Sequence, residues 1–207
     1  MRYDTGECTI QLATSRDGNQ VQRRFHRPYV PPNPNAKRVG QQLAYTAYMG
    51  PGMVRVKDEI WMYGLETDVP HDSAWYGKRT PGGIHRYVQR LDGFISLDAR
   101  DRSGVVTTKP FLLRGKHVEV NADADLAQSP STGSLLTVEV LGADGALLAK
   151  SRPLQSDGVK LRPRWQKRAD LAAWIGRPIQ LRFTMRFTKL YAFQIVSAVR
   201  GNRKAGN

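Results

Sequence analysis

The sequence predicts an all-β protein ending in an antiparallel β-sandwich, on three observations. Short segments of alternating apolar and polar residues recur along the chain. Asp-Gly and other turn signals punctuate them. No stretch carries the 3.6-residue apolar period of a long helix.

Residues 8–15 alternate and are expected as a strand. Asp17-Gly18 turns the chain, since glycine takes positive φ without a Cβ clash. Residues 21–25 form the expected return strand. Between His26 and Asn35 stand Pro28, Pro31, Pro32 and Pro34. A proline donates no ladder hydrogen bond, so this segment reads as a loop. Residues 42–49 resume an extended pattern, and Gly50-Pro51-Gly52 turns it. Residues 53–56 and 60–63 flank Lys57-Asp58-Glu59 as a tight hairpin. A long loop is expected from Glu66 to Gly83, followed by a strand over 84–90.

The texture then becomes denser. Strands are expected at 94–97, 104–108, 117–121, 135–141, 146–149, 159–164, 179–187 and 191–196. That density over about a hundred residues suits a sandwich. Asp170 to Gly176 reads as a helical turn, with Asp170 as N-cap and Gly176 as C-cap glycine. The division expected is 1–92, hairpins; 93–200, sandwich; 201–207, a disordered tail.

The chain of 207 residues carries a formal charge of +14. Residues 1–93 hold 13 Lys and Arg against 9 Asp and Glu, and residues 94–207 hold 19 against 9. Such an excess attracts polyanions. The arginines of Leu181-Arg182-Phe183-Thr184-Met185-Arg186 alternate with apolar residues, which places them on a solvated strand face. Nucleic acid is therefore not the expected partner. No apolar run approaches the length of a membrane span. No signal-peptide core is seen near the N-terminus. Cys8 is the single cysteine, which excludes an internal disulfide and fits a small buried residue. His26, His71, His85 and His117 lack metal-ligand spacing. No phosphate loop or nucleophile elbow is present, and neither metal nor cofactor is expected.

Several stretches carry a resemblance: Gln11 to Gly18; Tyr48-Met49-Gly50-Pro51-Gly52-Met53-Val54; Asp58 to Gly64; Arg90-Leu91-Asp92-Gly93-Phe94-Ile95-Ser96-Leu97-Asp98-Ala99; Thr107 to Pro110; and Leu190 to Ile195. Together they resemble the last propeller blade, the junction and the C-terminal sandwich of five-bladed β-propeller glycosidases of the invertase, levanase and arabinosidase type. The family is often secreted. The resemblance implies partial propeller blades followed by the sandwich, with the earlier blades missing or supplied by a second chain. It further implies a glycosidase-like protein in which this chain alone is not catalytic.

Glycoside hydrolysis ordinarily uses two carboxylates. Glu7, before Cys8, resembles the family's acid/base glutamate, although proline does not follow. The substrate-binding candidates lie in the long loop. Trp75 and Tyr76 offer faces for sugar rings, and His71, Asp72 and Arg79 offer hydrogen bonds. Three functions follow: a carbohydrate-contacting or stabilising part of a glycosidase-like protein, half of a split active glycosidase, or a basic sandwich that binds polyanions.

Overall fold

The protein is described by a computed structural model covering residues 8–33, 38–39, 42–43, 45–68, 82–125 and 133–197. Within them the structure is all β, in several antiparallel sheets, none closed into a barrel. No described helix is long and apolar enough to cross a membrane. The chain divides into two compact units, Met1–Gln89 and Arg90–Asn207. The stretch 201–207, expected as a tail, lies outside the described residues.

In the first unit β1 (Arg38–Val39) pairs with β2 (Gln42–Leu43). The main sheet contains β3 (Thr46–Met49), β4 (Val54–Val56), β5 (Glu59–Thr67) and β6 (Gly82–Arg90), whose last residue crosses the division. Both β3 and β4 pair with β5, through Met49↔Gly64 and Val54↔Trp61. Residues 50–53 bulge between them, and Gly52 takes φ +89° there. Pairing of Thr46 with Thr67 carries β5 four residues past the expected end at Tyr63. Ile60 and Met62 are buried, whereas Tyr63 and Leu65 on the opposite face are exposed.

The strands expected at 8–15 and 21–25 are replaced by isolated bridges, Thr14↔Gln22, Ile10↔Val30 and a parallel Cys8↔Thr46. Residues 13–27 are all exposed. With no apolar face to bury, the ladder does not extend beyond the turn. Asp17 still forms that turn, its carboxylate accepting from the Asn19 and Gln20 amides. Those bonds hold its pKa below the ordinary value, the Gln20 bond contributing most.

The second unit holds β7 (Leu97–Ala99), β8 (Gly104–Thr107), β9 (Phe111–Leu112), β10 (His117–Asp123), β11 (Leu135–Gly142), β12 (Leu147–Lys150), β13 (Asp157–Leu161), β14 (Pro178–Arg186) and β15 (Thr188–Val196). One sheet runs β13-β10-β15-β7 and the other β12-β11-β14-β8, with β9 also on β14. Alternate residues from both sheets meet in one buried cluster that includes Val118, Val120, Leu136, Val138, Leu181 and Phe183. The first strand lies at 97–99 and not at 94–97, because Ala99, Asp98 and Leu97 are the residues that pair with β15. The expected strand over 179–187 stops at Arg186. Phe187 turns at φ +45°, and its amide donates to the Arg100 carbonyl at 2.8 Å. The next strand therefore begins at Thr188, three residues earlier than expected. The helical turn survives as a single 3-10 turn, Leu171–Trp174, capped by the Asp170 carboxylate. Gly176 supplies the positive φ of +82° after it.

The Arg90-Leu91-Asp92-Gly93 turn is fastened within the second unit, at its start. The Arg90 guanidinium donates to Asn121 Oδ1, to Asp157 Oδ1 at 2.5 Å and to the Ala122 carbonyl at 3.1 Å. Asn121 Nδ2 returns a bond to the Leu91 carbonyl at 2.6 Å. Asn121 is 4% exposed, so losing its donor leaves a buried acceptor unsatisfied. Arg90→Ala is expected to destabilise the chain by about 2 kcal/mol, read as a lower midpoint in urea unfolding. An unchanged midpoint would show that this clasp contributes nothing.

Candidate functional site

A groove of about 440 Å³ opens in the second unit where the edge strands are shorter than the strands they border. β7 pairs only with Thr188, Lys189 and Leu190 of β15. Beyond that point β15 continues for six residues with β7 absent from its flank. On the other sheet β8 covers β14 from Arg182 to Met185, and the pairing resumes at β9 only at Ile179. Thr108 fills the gap. Its amide donates to the Leu181 carbonyl, and its hydroxyl accepts from the Leu181 amide.

Phe183 and Leu190 are buried beneath this opening. Phe193 stands over Phe183 with ring centroids 5.5 Å apart and tilted by 40°. It points toward the core like its partner Val120, yet it is 37% exposed. Ile95 and Leu97 form an apolar wall, and Tyr191, Ser96 and Thr108 also line the groove, the Ser96 hydroxyl donating to Asp98. Tyr191 is held from behind by the Arg90 guanidinium, 5.0 Å from the ring centroid. Apolar walls with a few convergent polar groups are the usual makeup of a small-ligand site.

Each sheet also carries an acidic side chain among cations. Glu119 accepts from Arg162 and from Gln194 Nε2 at 2.7 Å. Glu139 accepts from Arg182 Nε at 2.6 Å and pairs with Lys150 at 3.1 Å. Both cations lie directly across from Glu139 in the strand register. Burial pushes both carboxyls up, but the hydrogen bonds and charges of their partners outweigh it, and both pKa values fall below the ordinary 4.5. In the first unit Tyr87 donates to Glu66. Burial first, and then that bond, raise the tyrosine pKa.

Among the described residues no cluster of three His, Cys, Asp or Glu is placed to hold a metal. Glu7 and the loop candidates His71, Asp72, Trp75, Tyr76 and Arg79 all lie outside the described residues. The groove residues Tyr191 and Phe193 were not selected as a site from sequence. Comparison of the chain with models of protein families, with curated proteins and with solved structures finds no significant match.

The depressed glutamate values set an acid dependence. A carboxyl with a lowered folded pKa stabilises the fold above its unfolded value, and that stabilisation is lost as pH falls through the folded value. The urea midpoint is expected to hold above the ordinary value of 4.5 and to fall below it. Glu139→Gln is expected to lower the midpoint at neutral pH, by leaving Arg182 and Lys150 without their partner, and to flatten the acid limb. An acid limb as steep as the parent's would contradict the assignment.

Proposed function

We propose that this chain is a carbohydrate-contacting part of a glycosidase-like protein and is not catalytic by itself. In this reading the second unit is a β-sandwich of jelly-roll order. Eight strand positions, with β8 and β9 sharing one, divide equally between two four-position sheets, as that architecture requires. The groove is the saccharide contact. The observation that carries the reading is Phe193, an inward-facing ring left accessible beside the hydroxyl-bearing residues Tyr191, Ser96 and Thr108. A pyranose offers apolar C–H faces to such a ring and hydroxyls to such a rim.

The first unit is read as an incomplete propeller segment. Its support is the β3/β4–β5–β6 sheet, one face of which leaves Tyr48, Tyr63, Leu65 and Val54 exposed. Propeller sheets bury such faces against neighbouring blades. The same face favours the second reading, a split glycosidase completed by a partner chain.

Titration of neutral oligosaccharides into the isotopically labelled chain tests the groove. Amide shifts are expected to concentrate at residues 95–97, 106–108 and 190–193. Phe193→Ala is expected to weaken binding roughly tenfold, the loss of about 1.4 kcal/mol of ring contact. Shifts confined to other surfaces, or no binding by any neutral oligosaccharide tried, would reject the groove as a saccharide site.

A further inference from the structure

The outer face of the β12-β11-β14 sheet is a separate surface from the groove, and its charge is one-sided. Lys150, Glu139 and Arg182 stand directly opposite one another on three neighbouring strands. With strands about 4.8 Å apart, the two cations straddle the glutamate at a backbone separation of roughly 10 Å. Glu139 is nearly buried, while the Lys150 and Arg182 side chains remain 45% and 38% exposed. The carboxylate thus acts as a fixed post that holds two accessible cations.

Two further arginines extend this row. Ser151 and Trp165 form an antiparallel bridge, and the Arg152 amide donates to the Arg164 carbonyl at 2.7 Å. Ser151 is fully buried. Side chains alternate along extended chain, so Arg152 returns to the Lys150 side, and Arg164 faces outward beside it. Both are exposed. Neither side chain has an ion-pair partner among the described residues.

We infer that this face binds a linear acidic polysaccharide, one carrying carboxylate or sulfate groups along its chain. Guanidinium groups match both anions with two parallel hydrogen bonds. The neighbouring side chains suit a sugar better than a base. Thr184 lies next along β14 and Thr107 lies opposite Arg182 on β8, so hydroxyls flank Arg182. Single-stranded nucleic acid is held instead by stacking on aromatic rings. The inference is independent of the groove.

The test uses the full chain with four probes: polygalacturonate, heparin, dextran and duplex DNA, each at low and high salt. Polygalacturonate or heparin is expected to bind and to weaken with salt, as exposed charges are screened. The first alone identifies carboxylate as the ligand group, and the second alone identifies sulfate. Dextran is expected to bind without salt dependence or not at all. The double variant Arg152→Ala/Arg164→Ala changes exposed side chains only and is expected to keep the parent's melting temperature. It is expected to lose roughly tenfold in affinity per arginine for the acidic polymer. Phe193→Ala, which acts on the groove, is expected to leave that affinity unchanged. The inference is overturned if neither acidic polysaccharide binds, if the double variant binds as the parent does, or if DNA binds more tightly than both and loses the same factor.

Discussion

Two long strands that follow each other in sequence occupy the central positions of two different sheets. β14 lies between β11 and the β8/β9 edge, and β15 lies between β10 and β7. Only Phe187 separates them. Its positive φ and its bond to the Arg100 carbonyl turn the chain from one sheet into the other. Thr188, buried completely, secures the start of β15 by donating toward the Leu135 and Arg186 carbonyls. Among the described residues, strands β8 and β9 have no sheet partner but β14, and β7 has none but β15. The second unit therefore cannot complete either sheet until the last part of its chain has arrived. Contacts so distant in sequence carry a large loop-closure cost before they are rewarded.

The same arrangement places the surfaces that bear on function. β15 is nine residues long and β7 three, so the groove follows from a mismatch in strand length and not from a dedicated loop. Its floor is core, which explains why aromatic and aliphatic residues dominate it. β14 alternates Ile179, Leu181, Phe183 and Met185 inward with Gln180, Arg182, Thr184 and Arg186 outward. One strand thus supplies both the groove floor and part of the basic face. Burial of the inward set fixes the register, because a slip of one residue would bring the arginines into the core.

That alternation is also why much of the second unit was legible in the sequence. β10 and β14 each separate an apolar from a polar face, and the turns at Asp144-Gly145 and Asp170 to Gly176 use residues whose local chemistry decides the conformation. The crossing at Phe187 was hidden, because an aromatic residue two positions after Met185 continues the strand pattern. Residues 8–15 and 21–25 alternate as strands would, yet bury too little to form more than bridges. The groove was not legible at all. It depends on how far neighbouring strands extend, and Phe193 looks like any other inward residue. The Glu139–Arg182 pair spans 43 positions and exists only through register. Arg90-Leu91-Asp92-Gly93 stood out as a motif, and its physical role is the grip on Asn121 and Asp157.

The dependence of both sheets on β14 and β15 is tested most directly by native-state hydrogen exchange on the full chain. Amides of Leu181, Phe183, Leu190 and Ala192 are predicted to exchange in one cooperative step, with the same opening free energy and the same denaturant sensitivity. The amides of β10 and β11 are predicted to follow them. Exchange of β15 at a markedly lower free energy than β14, with β10 still protected, would show that the sheets form independently and that the crossing at Phe187 does not hold the unit together.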